Sequence, residues 1–259
     1  MIHFLKLCAG TTRRVLSTIL MCPFDAQKRQ RIKEIYTLYQ PTPIDNQFPV
    51  DPYIVPKTDI FEITGEDACL YDGVDKCGFG HITEFELKVI CQIVKKFNPK
   101  TIFEIGTFEG RTTLNMALNA PEANVYTLDL PASGLAAVVS KVEAGEIAYI
   151  DKDVSGSRFI GKPVAHRIKQ LLGDSSTFDF SPFYNTVELM FIDGSHAYDY
   201  VLNDTEKALK LIKKGGVILW HDYTNWDGVR DAINGLYKLD SRFAKAKHIG
   251  GTSILMMQV

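Results

Sequence analysis

Apolar residues along this chain gather in five short runs, each ending in or beside a carboxylate. They read Thr101-Ile102-Phe103-Glu104-Ile105-Gly106, Val125-Tyr126-Thr127-Leu128-Asp129, Gln170-Leu171-Leu172-Gly173-Asp174, Leu189-Met190-Phe191-Ile192-Asp193 and Val217-Ile218-Leu219-Trp220-His221-Asp222. The runs are apolar throughout rather than alternating, as expected of parallel strands buried on both faces. They recur at the spacing of a β/α repeat. In an open α/β sheet, ligands bind outside the carboxyl ends of the strands. Acidic groups at those ends therefore predict a site for hydroxyls, amines or a cation.

Between the runs the apolar period changes to that of helices. Thr83-Glu84-Phe85-Glu86 has the form of a capping box, and Ile90, Ile93, Val94 and Phe97 mark the buried face of a helix ending near Asn98-Pro99. A helix is predicted over 111–119. Another carries the stripe Tyr198, Val201, Leu202, Thr205, Leu209 and Ile212, with Gly215-Gly216 expected to end it. A last helix is expected over 228–239, followed by two strands, 244–248 and 253–258, joined by Gly250-Gly251. Residues 131–166 are less regular, with helical pieces expected around 135–144. The order predicts an α/β fold, a Rossmann-like, doubly wound, mostly parallel sheet with an antiparallel C-terminal edge hairpin.

The first part of the chain lacks this rhythm. Pro41, Pro43, Pro49, Pro52 and Pro56 fall within 40–80, which reads as an irregular connector or cap. The organisation expected is therefore an N-terminal helical or irregular cap or dimerisation segment over 1–80 and a ligand-binding α/β domain over 81–259. Residues 15–22 are apolar but short, with Arg13 and Arg14 before them and Lys28, Arg29, Arg31 and Lys33 after. An amphipathic helix packed on the domain or on a second subunit is the preferred reading, contact with a membrane surface the competing one.

With 259 residues, 46% of them hydrophobic, the chain can bury one substantial core. A net charge of −2 gives no global field for nucleic acid. Cys8, Cys22, Cys69, Cys77 and Cys91 are odd in number and form no CxxC pair, which suits reduced thiols and a cytoplasmic location. No apolar run approaches the roughly 18 residues of a membrane span.

The turn after the first run, Gly106-Thr107-Phe108-Glu109-Gly110, has Gly-x-x-x-Gly spacing rather than the GxGxxG of dinucleotide loops. Glu104 and Glu109 flank and interrupt it, an arrangement expected to repel phosphate and to favour a ligand with positive charge and hydroxyls. From Thr101 to Asp222 the chain resembles the core of class I S-adenosylmethionine-dependent methyltransferases. Glu104-x-Gly106-x-x-x-Gly110 matches that family's first motif, which implies that Glu104, Gly106, Thr107, Gly110 and Thr112 surround the methionine end of the cofactor. Asp129, with Leu130 beside it, matches the acidic residue that holds both ribose hydroxyls. Gly173-Asp174-Ser175 matches the loop beside adenine, and Asp193 also falls within the implied cofactor set.

The stretch from Phe191 to His196, with its Asp-Gly-Ser-His motif, and that from Leu211 to Asp222 are similar to small O-methyltransferases related to macrolide-sugar and cephalosporin-biosynthesis methyltransferases. The resemblance implies O-methylation of a small hydroxylated acceptor such as a sugar or natural product. It implies Asp193, His221 and Asp222 as ligands of a divalent metal and His196 as general base, its imidazole kept neutral by the helix that follows. His221 stands where relatives often have Glu, which shifts the expectation from magnesium toward a softer metal or none. Each position also has a structural reading: packing for Gly106 and Gly110, turn formation for Asp129 and Asp174, capping for Asp193, a surface position for His196, a strand-end hydrogen bond for His221-Asp222. His3, His81, His166 and His248 are read as structural, and Phe178, Phe180 and Phe183 as core or pocket rim. A non-catalytic cofactor-binding subunit and a nicotinamide-dependent dehydrogenase are the rival functions. No nucleic-acid partner is expected, and homo-oligomerisation through the N-terminal segment is.

Overall fold

Side chains of a strand alternate between its two faces, and in the central strands here both faces are apolar. The computed structural model describes residues 52–65, 82–134, 138, 146–150, 152 and 154–259. The N-terminal helix expected within 1–50 and most of the pieces expected over 135–144 lie outside the described residues. Residues Asp51–Val259 form one compact unit.

Its strands are β1 (Lys57–Thr58), β2 (Thr101–Ile105), β3 (Asn124–Asp129), β4 (Ile168–Leu172), β5 (Val187–Ile192), β6 (Ile212–Trp220), β7 (Lys247–Ile249) and β8 (Leu255–Gln258). Its helices are α1 (Ile60–Thr64), α2 (Glu84–Phe97), α3 (Arg111–Asn119), α4 (Ile147–Ile150), α5 (Tyr198–Leu211) and α6 (Asp227–Leu239). The described strands form one sheet in the order β1-β7-β8-β6-β5-β2-β3-β4. Pairs β2–β3, β3–β4, β2–β5, β5–β6 and β1–β7 are parallel, while β8 runs antiparallel to both β6 and β7. The expected C-terminal hairpin is therefore present, with the two-residue β1 added outside it.

Phe103, Ile105, Met190, Ile192, Ile218 and Trp220 point to one side, into a core shared with Val201, Ala208, Ala232 and Ile233 of α5 and α6. Their neighbours Ile102, Val125, Leu189, Phe191, Val217 and Leu219 point to the other, against Leu87, Ile90, Val94 and Met116 of α2 and α3. Each fully buried Val, Leu or Ile contributes about 1.5–3 kcal/mol, so the sheet is held from both sides. Helix α2 begins with the capping box the sequence predicts: Thr83 Oγ1 accepts from Glu86 N at 3.2 Å and Glu86 Oε2 accepts from Thr83 N at 3.1 Å. It ends at Asn98 in the left-handed region.

Two expectations are corrected. Gly215-Gly216 does not terminate the helix: α5 stops at Leu211, and the glycines lie inside β6, where register slips between the Val187–Ile212 and Leu189–Val217 pairs. An irregularity there accommodates the extra residues of β6. Nor is every run buried on both faces. Among the described strands β4 lies at the edge of the sheet, and its Leu172 is 58% exposed.

The chain builds outward from β2 through β3 to β4, then crosses to β5 and β6 on the other side. The reversal lies between β2 and β5, where a doubly wound sheet opens a crevice at its carboxyl edge.

Candidate active site

A cleft of about 350 Å³ occupies that crevice, lined from the carboxyl ends of β2, β3, β4, β5 and β6. Of the residues the sequence singled out, Gly106, Thr107, Gly110, Thr112, Asp129, Leu130, Asp174, Ser175, Asp193, His196, His221 and Asp222 all line it. Glu104 is not among the lining residues.

The β2–α3 turn depends on its glycines. Gly106 has φ +100° and Gly110 φ +82°, conformations that side chains rarely tolerate. A Cβ at Gly106 would also fall 1.9 Å from the Asp193 carbonyl oxygen. This contact seats the turn directly on the β5 loop. Gly110 caps α3 without a side chain, leaving the first N–H groups of the helix at the cleft wall.

Glu104 lies behind this turn, 1% exposed. Its Oε2 accepts from Thr113 and, at 2.6 Å, from Thr127, whose hydroxyl also meets Thr107 at 2.6 Å. Burial pushes its carboxyl up to about 8 against the pull of the Thr113 and Thr127 hydroxyls, and the charges of Asp193 and Asp129 add to the rise. Glu109 is paired with Arg158 at 2.8 Å. The expected repulsion of phosphate by two loop carboxylates is thus corrected: one is buried and protonated near neutrality, the other is neutralised.

Asp129 closes β3 with its carboxylate 2.9 Å from Lys152 Nζ and accepting from Ser155 Oγ. Asp174 orders its own loop, accepting from Ser176 N at 2.8 Å and from Tyr200 OH at 3.1 Å. Beneath the cleft floor, Asp204 of α5 is fully buried and raised to about 7, chiefly by that burial.

At the other end of the cleft two imidazoles interlock with four carboxylates. His221 Nδ1 meets Asp193 Oδ1 at 3.0 Å and Asp222 Oδ2 at 3.2 Å, while its Nε2 lies 3.6 Å from Glu86 Oε2. His196 Nε2 lies 2.8 Å from Asp222 Oδ2, and its Nδ1 2.8 Å from Glu146 Oε1. Trp226 stacks on the His196 ring at 4.4 Å and 7°. Asp222 holds φ +63°, a strained conformation for a non-glycine residue, of the kind that clusters at functional sites.

Burial opposes charge on His196, but the hydrogen bonds and charges of Asp222 and Glu146 outweigh it and lift the ring to about 9. Burial likewise opposes charge on His221, and Asp193 and Asp222 lift it well above its usual range. Burial would raise Asp222, yet His221 and His196 hold it far below the carboxylate range. Glu86 is held low in the same way by His221 and Ser253, against its own burial. The expected neutral His196 is therefore corrected: flanking carboxylates outweigh the helix end.

The structure also regroups the expected metal ligands. Among the described residues, Asp193, His196 and Asp222 offer donor atoms within 4.8 Å of one another. His221 sits behind them, bonded to the carboxylates. Glu86, Glu146, Lys152 and Trp226 were not singled out as site residues. Glu86 was legible only as a capping residue, and Glu146 and Lys152 fall in the least patterned stretch of the chain.

A doubly wound sheet with a glycine turn, an acidic β3 end and an acidic β5 end facing one crevice defines the class I methyltransferase fold. Residues 103–223 match the family model described as methyltransferase domain. Among curated proteins, the chain is 28% identical over 151 residues to the uncharacterized protein R132 of Acanthamoeba polyphaga mimivirus, covering 57% of this chain and 63% of that protein. It is 30% identical over 156 residues to a candidate caffeoyl-CoA O-methyltransferase of Arabidopsis thaliana, covering 58% and 60%. The matches thus span less than two-thirds of these relatives' own length. Among solved structures, SAH-bound methyltransferase PaMTH1 from Podospora anserina shares the fold at a TM-score of 0.51 and 15% identity, over 91% of this chain and 97% of that one.

Proposed function

We propose that this protein is an S-adenosylmethionine-dependent O-methyltransferase acting on a small hydroxylated acceptor, such as a sugar or natural product. The observation that carries it is the single cleft joining the glycine turn and Asp129 at one end to the His196 cluster at the other. In this reading the N-terminus of α3 receives the cofactor's carboxylate, Asp129 its ribose, and the Asp174-Ser175 loop borders its adenine. Methyl transfer is an in-line displacement, so the protein's main contribution is to align sulfonium carbon and acceptor oxygen.

The reaction end fits a divalent ion. Asp193, His196 and Asp222 would hold it, a mixed oxygen and nitrogen set suited to manganese, iron, cobalt or zinc as well as magnesium. Bound there, the ion would make the acceptor hydroxyl more acidic. A second reading follows from the Glu146–His196–Asp222 chain: at high pH, where His196 has given its own proton to solvent, it takes the acceptor proton at Nε2 without metal, so turnover rises toward about pH 9. Chelation separates the two, since the metal reading requires that turnover be lost with EDTA and restored by Mn²⁺. Chelator-resistant turnover that H196Q abolishes would establish the base.

Residues 1–80 are included in the proposal as a cap or dimerisation segment, to be checked by light scattering of the full chain. For the cofactor, calorimetric titration with S-adenosylmethionine is expected to show binding that D129A abolishes. Equal affinity of wild type and D129A would remove Asp129 from the site. No binding to the wild type would overturn the methyltransferase reading.

A further inference from the structure

The carboxylate that closes β3 already has partners, and both meet the same oxygen. Lys152 Nζ lies 2.9 Å from Asp129 Oδ2, and Ser155 Oγ donates to that oxygen as well. A carboxylate oxygen offers about two lone-pair sites, so the pair fills Oδ2 and leaves Oδ1 as the open acceptor. A ribose presents two neighbouring hydroxyls. Receiving one on each oxygen requires that Oδ2 be given up.

The two donors come from the stretch after α4, whose backbone is fixed to the glycine turn. Gly156 N donates to Phe108 O at 2.8 Å and Arg158 N to Glu109 O at 2.9 Å. Phe159, 5% exposed, lays its ring on Gly110, where a Cβ would fall 2.5 Å from Phe159 Cδ1. From β4, Gln170 Nε2 donates to Ser155 Oγ at 2.6 Å.

Each donor also has a second acceptor within reach. Lys152 Nζ donates to Tyr149 O at 2.9 Å and stands 5.9 Å from the centre of the Phe108 ring. Ser155 Oγ lies 3.3 Å from Phe108 O, so its one proton passes from Asp129 to that carbonyl by a turn of the hydroxyl. Neither donor is stranded on leaving Oδ2, and no backbone hydrogen bond has to break.

We propose that Lys152 and Ser155 are internal competitors of the cofactor's ribose. They occupy Oδ2 of Asp129, and a nucleoside engages both oxygens by turning them onto Tyr149 O and Phe108 O. This rests on Asp129 as the ribose carboxylate, the role proposed for it above. A site open in only a fraction of molecules has its apparent affinity lowered by that fraction. Cofactor affinity is thereby set by the stretch after α4 as well as by the glycine turn.

The test is surface plasmon resonance of the full chain with S-adenosylhomocysteine, which carries no sulfonium charge to respond to loss of the Lys152 ammonium. K152M and S155A are each expected to bind it more tightly than wild type, and K152M/S155A by about 5- to 10-fold. The gain should lie in faster association, with dissociation unchanged. K152R, which keeps a cationic donor beside Asp129, should not reproduce it. Thermal midpoints establish that each variant is folded, and S155A, the smallest change, decides if K152M is not. Variants that bind no more tightly than a binding wild type overturn the proposal and leave Asp129 as the ribose carboxylate. A gain carried by slower dissociation overturns it too. Absence of binding in every protein overturns this proposal and the cofactor reading together.

Discussion

Glu104 shows how little a residue's place in a motif says about what it touches. Its carboxylate opens the glycine motif in sequence, yet in space it faces Thr113 and Thr127 behind the turn and is protonated up to about 8. The unfolded group titrates at 4.5. Folding therefore favours the protonated form, and this stabilisation is complete below the unfolded value and lost as pH rises toward about 8. E104Q imitates the protonated state at every pH. Wild type is expected to lose a few kcal/mol more than E104Q between about pH 5 and 8, seen as a steeper fall in thermal midpoint. Parallel curves for the two proteins would refute the shift. The glycines, Asp129, Asp193 and Asp222 were readable because strand ends impose their position. Glu146 was not, because it reaches the cluster from a segment with no period of its own.

Among the elements, strand existence and helix faces were the most legible features, since period and burial act on every residue of the run. The bounds of α3 match the expected 111–119, and the capping box on α2 is present. The misread junction between α5 and β6 has a physical origin. Paired glycines after a helix commonly cap it, but here pairing with β5 extends the strand back to Ile212 and absorbs them in the slip of register. The place of β4 at the edge of the described sheet was likewise invisible, because a run does not reveal its position in the strand order. The box on α2 also supports the site, for Glu86 accepts from Ser253 N and Oγ at 2.7 Å and faces His221. T83A should cost about 1 kcal/mol, a drop of about 2–4 °C for a domain of this size. A midpoint within error of wild type would show that α2 needs no cap.

For the molecule as a whole, the fold class followed from the alternation of strands and helices, and the site's location from the sheet's reversal. The acceptor did not follow, since the stretches between the motifs carry no repeating pattern. One feature separates these two kinds of information. The bare backbone of Gly106 rests on the Asp193 carbonyl across adjacent strands, so the separation of the glycine turn from the β5 loop is set by strand spacing, about 4.8 Å. Loops can be exchanged around such a gauge without retuning it. That gives protein engineers a division of labour: leave the β2 and β5 ends untouched, and recruit new acceptors by rebuilding the surrounding segments.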